Sequence, residues 1–233
     1  MSKLRRIINL ILDVYRTIVI SLIDKNKKFT YIYNSKYWKG MNDGSLSGAG
    51  SNENTTHRIK HELQKFFVEN DIKSVLDIPC GDWKWMSTMN FENINYIGCD
   101  VVTEMINHNK KLYEKKNIKF VVRNLLKDDL PRADMIIVRD LLVHLDNSDI
   151  RQCLNNIKKG NFKYIAITNY PLLKSQLRDK FLGDKWRPIN LNINPFNLPK
   201  SDYNLDDTSN VQDHDKDKYL SIWLRENFIK YKD

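Results

Sequence analysis

The sequence contains little glycine, proline and cysteine: 8 Gly, 6 Pro and 3 Cys in 233 residues. These low counts exclude a collagen-like chain and a disulfide scaffold. Cys80, Cys99 and Cys153 form no CxxC pair and have no zinc-type spacing with the 5 histidines. We therefore predict no metal site and a reducing, cytoplasmic setting. The length fits one sizeable core with an appendage better than two full domains.

Long uncharged hydrophobic runs are also missing. Asp13 and Arg16 interrupt the apolar N-terminal region, and the runs that remain are far shorter than the roughly 18 residues that cross a bilayer. We predict no membrane-spanning segment. Six apolar residues nevertheless recur at helical spacing: Leu4, Ile8, Ile11, Tyr15, Ile18 and Leu22. They predict an amphipathic helix whose apolar face packs on the domain, pairs with a second subunit, or makes peripheral contact with the inner face of a membrane.

Strand and helix patterns alternate five times along the rest of the chain. Strands are predicted at 73–78, 95–102, 118–122, 133–138, 163–168 and 219–224, and the clearest helices at 53–70 and 149–159. This alternation predicts a doubly wound parallel sheet, whose ligand site lies at the carboxyl ends of the strands. Residues 25–52 are polar and Gly-rich and predict a loop region, and residues 206–218 predict a solvated surface loop. We expect an extension at 1–52, made of the amphipathic helix and a Gly-rich lid, ahead of a domain at 53–233.

The turn after the first strand and the end of the second strand indicate a cofactor. Gly81 allows a close backbone approach to a ligand, and Asp100, placed at a strand end, is suited to accept hydrogen bonds from ribose hydroxyls. Pro79 and Trp83 stand where a dinucleotide-binding turn has further glycines. A pyrophosphate is therefore excluded, and a nucleoside-containing cofactor is favoured.

The segment Val75-Leu76-Asp77-Ile78-Pro79-Cys80-Gly81-Asp82 resembles the first motif of class I S-adenosylmethionine-dependent methyltransferases, and Asp100 resembles the acidic residue of their second strand. Residues 47–51, 139–145 and 186–191 resemble a bacterial and viral subgroup found with glycan-biosynthesis genes. The resemblance covers roughly residues 37 to 226. It implies a Rossmann-like, mostly parallel seven-stranded sheet with an N-terminal helical and loop extension.

The resemblance also implies the cofactor site. Asp77 would lie near the methionine amino group, Gly81 along the methionine and ribose, Asp100 on the ribose, and Asn124 with Leu125 at the adenine. Two positions depart from the family: Pro79 replaces a glycine, and Asn124 stands where an Asp is common, although its carbonyl oxygen can still accept a hydrogen bond. The full predicted set for S-adenosylmethionine is Trp38, Ser47, Gly50, Asp77, Pro79, Cys80, Gly81, Asp100, Val101, Asn124, Leu125 and Arg139.

The catalytic prediction is His144 with Asp140, since both follow the fourth strand and a histidine is suited to take a proton near neutral pH. Alternatively, Arg139 and Asp140 form an ion pair that shapes the cofactor pocket. Arg187 is the candidate for binding an anionic or polyhydroxyl methyl acceptor, because a guanidinium binds carboxylate and phosphate in a planar geometry. The other predicted acceptor-binding residues are Trp186, Asn169, Tyr170 and Asn190.

The predicted reaction is methylation of a hydroxyl on a sugar, a nucleotide sugar or a glycan precursor of a surface polysaccharide. The net charge of +9 also suits nucleic acid. Adenine methyltransferases, however, resemble one another in an Asn/Asp-Pro-Pro-aromatic motif after the fourth strand, where this chain has Arg-Asp-Leu-Leu. Methylation of RNA or of another small molecule, and a non-catalytic module that binds S-adenosylmethionine, remain the alternatives.

Overall fold

The computed structural model describes residues 14, 15, 18–20, 22, 23, 25–35, 47–176, 186–209 and 216–232. Its helices are α1 (Lys25–Asn34), α2 (Glu53–Glu69), α3 (Thr103–Tyr113), α4 (Asn147–Lys159) and α5 (Arg225–Phe228). Its strands are β1 (Ser74–Asp77), β2 (Asn95–Asp100), β3 (Ile118–Val122), β4 (Met135–Val138), β5 (Tyr164–Asn169), β6 (Tyr203–Asp206) and β7 (Tyr219–Leu224). Residues 14, 15, 18–20 and 22 also have helical backbone.

The seven strands form one sheet in the order β3-β2-β1-β4-β5-β7-β6. Strands β1 to β5 pair in parallel, whereas β7 lies antiparallel between β5 and β6. The order reverses beside β1, where β2 lies on one side and β4 on the other. This switch point places the turns after β1, β2 and β4 at one edge of the sheet, which is where open α/β sheets bind their ligands. The predicted mostly parallel, doubly wound fold is confirmed.

Hydrophobic residues cover both faces of the sheet. Every residue of β4 and of β5 is buried, because helices and loops cover both sides of these strands, as parallel strands require. Helix α4 shows how the local sequence determines a helix. Asp146 accepts a hydrogen bond from Asp149 N at 3.0 Å, while Ile150 and Leu154 are buried in the core. The cap fixes where the helix begins, and its apolar stripe fixes which side faces the core.

The structure corrects two predictions about loops. Residues 25–34, predicted as part of a loop region, form helix α1, because Ile32 is buried and Phe29 packs against the core. The segment predicted as a solvated loop at 206–218 begins at the end of an unpredicted strand, β6, and its terminal residues Asp207 and Lys218 are buried. The predicted helix over residues 4–22 lies partly outside the described residues. Within the described ranges, no helix combines the length and hydrophobicity that crossing a membrane requires.

Candidate active site

The turn after β1 is built against the end of β2. Cys80 N donates to Cys99 O at 2.8 Å, and Gly81 N donates to Asp100 Oδ2 at 3.2 Å. Gly81 has a φ of +55°, a conformation that a glycine adopts without steric cost. A Cβ at Gly81 would overlap Ser47 Oγ. Because Gly81 has no Cβ, the Ser47 side chain can approach the backbone of this turn closely. The Ser47 hydroxyl accepts a hydrogen bond from Asp82 N at 2.6 Å.

Sequence reasoning missed a second residue that fixes this turn. Asn109 is fully buried on α3, and its Nδ2 donates to Gly81 O at 2.7 Å and contacts Cys80 Sγ at 3.8 Å. Its Oδ1 has no hydrogen-bond partner among the described residues. Burial raises the pKa of the Cys80 thiol well above its usual value, so Cys80 contributes packing rather than a nucleophile.

Asp100 is buried at the carboxyl end of β2. Its Oδ1 accepts a hydrogen bond from Val102 N at 3.0 Å, and its Oδ2 accepts the one from Gly81 N. Burial raises the pKa of Asp100 to about 6, although hydrogen bonds from backbone amides, including Val101 N, oppose the rise. A buried carboxylate with unused lone pairs suits a ligand that brings hydroxyl donors.

Asp77 is buried at the end of β1, the neighbouring strand. Tyr96 Oη donates to its Oδ2 at 2.5 Å. Burial raises the pKa of Asp77 to about 7, against the opposing effects of the Tyr96 hydrogen bond and the charge of Arg139. Within the described ranges, no Lys or Arg nitrogen lies within 4.0 Å of the Asp77 or Asp100 carboxylate. The sheet edge thus holds two acidic groups that form no ion pair with the described residues.

Asn124 and Leu125, the residues predicted to lie at the adenine of the cofactor, are in the turn after β3. Asn124 Oδ1 accepts a hydrogen bond from Leu126 N at 2.9 Å, and Asn124 N donates to Asp128 Oδ2 at 2.8 Å. Leu125 is buried in the core beside this turn, and Arg123 N donates to Asp100 O at 3.0 Å. The turn is therefore tied to the strand end that carries Asp100. The predicted contacts of Asn124 and Leu125 with a cofactor stay a prediction.

Helix α1 also reaches this edge, which the sequence did not indicate. Burial, and then the negative charges of Asp82, Glu104 and Asp100, raise the pKa of the Tyr33 phenol. The spacing of Phe29, Ile32 and Tyr33 is helical and would have been the signal. Trp38, predicted to belong to the lid over the cofactor, lies outside the described residues.

After β4 the chain enters a cluster of four charges, which we name the charge quartet: Arg139, Asp207 and Lys218 are buried, and Asp140 is partly buried. Arg139 Nε and Nη2 donate to the two carboxylate oxygens of Asp207 at 2.9 and 2.8 Å. Lys218 Nζ lies 2.8 Å from Asp140 Oδ2 and 3.3 Å from Asp207 Oδ2, and Arg139 Nη1 lies 3.2 Å from Asp140 Oδ2. The expected pairing of Arg139 with Asp140 is present, but the principal partner of Arg139 is Asp207.

The charge quartet is neutral overall and joins distant parts of the chain. Arg139 also donates to Gly50 O at 2.9 Å and lies 5.1 Å from the Trp85 ring centroid. A Cβ at Gly50 would lie 2.6 Å from Asp140 Oδ2, so the predicted lid segment at 47–51 needs a glycine here. Sequence reasoning missed Asp207 and Lys218, because their polar surroundings in the sequence indicate solvent exposure.

Asp140 and His144 lie together in the segment after β4. Asp140 has a φ of +56°, and its backbone N donates to Thr168 Oγ1 at 2.9 Å. Burial acts to raise the pKa of Asp140, but Lys218 and Arg139 outweigh it and hold this pKa well below its usual range. His144 ends a short 3-10 turn at Leu142–His144, is near enough to Asp140 to affect its charge, and stacks edge-on against Phe29 at 6.5 Å.

The predicted acceptor-binding residues are mostly buried by the chain itself. Arg187 Nη2 donates to Asn147 Oδ1 at 2.7 Å and to Leu145 O at 3.2 Å, so its guanidinium fixes the segment that follows His144. Asn190 Nδ2 donates to the carbonyls of residues 171 and 173. Asn169 donates to Asn192 and Ser221 and accepts from Leu191 N, and Tyr170 is fully buried with its ring against Trp186. An acceptor-binding role for these residues stays a prediction.

Two cavities open beside the N-terminus of α2 rather than over the strand ends. The larger, of about 440 Å³, is lined by residues 53–55, 57, 58, 208 and 209. The smaller, of about 220 Å³, is lined by residues 51–54, 60, 84, 85 and 88. The smaller cavity adjoins the charge quartet, because Arg139 stacks on Trp85 in its wall and bonds the carbonyl of Gly50 next to Ser51.

Comparison with known proteins agrees with this geometry. Residues 75–160 match the family model of a methyltransferase domain, a stretch that includes β1 to β4, Asp77, Asp100 and His144. None of the curated protein sequences matches the chain.

Solved structures share the fold at low identity. The chain is similar to PigF with SAH, with a TM-score of 0.54 and 13% identity over 72% of this chain and 55% of that one. It is also similar to N-methyltransferase NodS from Bradyrhizobium japonicum WM9, at a TM-score of 0.46 and 16% identity over 60% and 73% of the two chains. A third similar structure is magnesium protoporphyrin IX methyltransferase from Synechocystis PCC 6803, with a TM-score of 0.46 and 12% identity over 64% of this chain and 72% of that one. The chain therefore has a Rossmann-like doubly wound sheet, and residues 75–160 match the model of a methyltransferase domain.

Proposed function

We propose that this protein is an S-adenosylmethionine-dependent methyltransferase that methylates a hydroxyl of a sugar or glycan precursor. The observation that carries the cofactor assignment is the pair of buried carboxylates, Asp77 and Asp100, at the switch point of the sheet. S-adenosylmethionine presents ribose hydroxyls and an ammonium group, all of which are hydrogen-bond donors. A site with two buried acceptors that form no ion pair among the described residues fits that donor set.

The residues that hold the cofactor follow from this fit. Asp100 accepts from the ribose, Asp77 faces the methionine end, and Asn109 and Gly81 fix the turn between them. When bound, S-adenosylmethionine supplies a methyl group on a sulfonium. The protein's share of the chemistry is to orient the acceptor and remove its proton, and orientation alone is worth about 7 to 11 kcal/mol for well-placed reactants.

His144 takes the proton of the acceptor hydroxyl in this proposal. Asp140 is unsuited to that role, because Lys218 and Arg139 lower its pKa and so make it a weak proton acceptor. Its negative charge instead stabilises the imidazolium that forms when His144 accepts a proton. The charge quartet thus holds Asp140 as a fixed anion beside the base.

The smaller cavity supports a polar acceptor. Lys60 and Lys84 contribute donors to its wall, and Trp85 contributes an aromatic surface. Donors and an aromatic ring suit a hydroxyl-rich or phosphate-bearing molecule such as a nucleotide sugar.

The test replaces His144 with Asn and compares it with His108→Asn, a matched change at an exposed histidine on α3. Both variants and the wild type are assayed for methyl transfer to nucleotide sugars, free sugars, glycans and RNA, and for S-adenosylhomocysteine affinity by calorimetry. We expect His144→Asn to lose about 10²- to 10⁴-fold in kcat with unchanged affinity, and His108→Asn to match the wild type. Transfer to RNA alone contradicts the acceptor class, and binding without any transfer identifies a cofactor-binding module.

A further inference from the structure

Large apolar side chains are exposed on one side of the N-terminal segment. Val14, Tyr15, Ile18 and Leu22 are 53%, 64%, 52% and 81% exposed, whereas Ile20 is 1% exposed. In a helix with 3.6 residues per turn, the four exposed positions fall within an arc of about 100°, and Ile20 points to the opposite side. We name these four residues the N-terminal apolar face.

This exposure decides one alternative left open by the sequence. Tyr15, Ile18 and Leu22 belong to the apolar stripe predicted for an amphipathic helix, and each of them is more than half exposed. The segment instead packs through Ile20 on its other side. The N-terminal apolar face is therefore available to something other than the described domain, either a second copy of the chain or a lipid surface.

The distribution of charge distinguishes these two occupants. Residues 1–35 contain seven Lys and Arg but only two Asp, a net charge of +5 out of +9 for all 233 residues. Two copies meeting through this segment would bring together two strongly positive surfaces. An anionic bilayer instead attracts each Lys or Arg near its surface.

We propose that the N-terminal apolar face binds the surface of an anionic lipid bilayer, with its side chains in the interfacial region and the neighbouring Lys and Arg at the headgroups. The proposal does not depend on methyl transfer. It has a consequence for the candidate active site, because helix α1 follows the face directly and packs Phe29 against His144. The membrane-bound protein then holds its candidate active site close to the lipid surface.

The test measures co-sedimentation of the full chain with two kinds of vesicle, phosphatidylcholine alone and phosphatidylcholine mixed with phosphatidylglycerol, without cofactor. We expect binding to the mixed vesicles only, weakened by added salt. Leu22→Glu is expected to lower binding at least tenfold, while the matched control Val68→Glu, at an apolar residue of α2 that is 74% exposed, leaves it unchanged. Lys27→Gln is expected to lower binding on the order of fivefold, with Lys230→Gln as its control.

Light scattering and circular dichroism complete the test. Leu22 is exposed, so Leu22→Glu is expected to keep the thermal midpoint of the wild type, which separates lost binding from lost folding. Absence of binding to the mixed vesicles overturns the proposal, as does an equal effect of Leu22→Glu and Val68→Glu. A wild-type dimer that Leu22→Glu converts to a monomer, without vesicle binding, assigns the face to a second copy of the chain.

Discussion

The two halves of the sheet bury their acidic side chains in opposite ways. In the first half, Asp77 and Asp100 end β1 and β2 without a Lys or Arg in ion-pair contact among the described residues, and burial raises their pKa values to about 7 and about 6. In the second half, the buried Asp207 and the partly buried Asp140 lie 2.8 to 3.3 Å from two buried cations, Arg139 and Lys218.

This contrast separates the roles of buried charge. A carboxylate that is buried without a cation weakens the folded state, and it becomes favourable only when a ligand supplies donors or positive charge. A carboxylate paired with Arg or Lys is already satisfied and serves to hold chain segments in place. We infer that the first half is built to receive a ligand and the second half to fix the geometry around it.

The largest expected effect comes from breaking the charge quartet. Lys218→Met leaves the buried site with an excess negative charge, and removing one partner of a buried pair costs about 3 to 5 kcal/mol. Urea unfolding of Lys218→Met and of the exposed-site control Lys230→Met measures the difference. The double variant Asp207→Asn/Lys218→Met restores neutrality, so we expect it to be less destabilised than the two single changes combined. Equal stabilities for Lys218→Met and Lys230→Met would show that the quartet contributes nothing to folding.

A smaller effect of opposite sign is expected at Asp77. Its folded-state pKa of about 7 exceeds the ordinary value of 3.8, so the folded state binds the proton more tightly than the unfolded state does. The contribution of Asp77 to stability is therefore fully present below about pH 4 and is lost as the pH rises through 7. Asp77→Asn, which retains an acceptor for Tyr96, should be more stable than the wild type by roughly 2 to 4 kcal/mol at pH 8 and by progressively less toward pH 4.

Unfolding midpoints in urea between pH 4 and pH 8 measure this difference. Asp129→Asn, at an exposed carboxylate, is the control and should follow the wild type at every pH. Lower stability of Asp77→Asn at pH 8 would show that the Asp77 charge is compensated within the folded protein.

The smallest effect is expected at Gly81. An alanine at a φ of +55° costs about 1 to 2 kcal/mol, and its Cβ would overlap Ser47 Oγ. Gly81→Ala should therefore be less costly in a Ser47→Gly background, where only the backbone strain remains. Thermal midpoints of the wild type, Gly81→Ala, Ser47→Gly and the double variant measure the coupling between the two positions. Strictly additive effects would show that Ser47 does not contact the turn.

Much of the fold was predictable from the sequence because parallel strands are buried on both faces and appear as short apolar runs. The predicted bounds of β3 and β7 match the structure exactly at both ends. Strand β6 was missed because only Leu205 among its four residues is buried, which leaves no pattern to detect. Helix α1 was missed because its Lys-rich first turn resembles a loop, although Phe29, Ile32 and Tyr33 have helical spacing.

The candidate site was predictable only where its residues are local to strand ends. Gly81 and Asp100 follow β1 and end β2, so the alternation of strands and helices was enough to bring them together. The distant members of the charge quartet, Asp207 and Lys218, lie 68 and 79 positions after Arg139, in a segment whose composition indicates solvent exposure. Pairing of that kind depends on the packing of β6 and β7, which no local pattern encodes.

The most direct test of this account measures stability and ligand affinity in one variant, Asp100→Asn. Asn offers only one acceptor to the two amides of Gly81 and Val102, which costs the variant the same hydrogen bond at every pH. If the Asp100 charge is maintained for a ligand at the expense of folding, the variant should nevertheless gain stability relative to the wild type as the pH rises from 4 to 8. It should also bind S-adenosylhomocysteine about 100-fold more weakly by calorimetry, because charge-assisted hydrogen bonds are worth about 1.5 to 3 kcal/mol each. A variant that gains no relative stability as the pH rises and keeps its affinity would contradict the account.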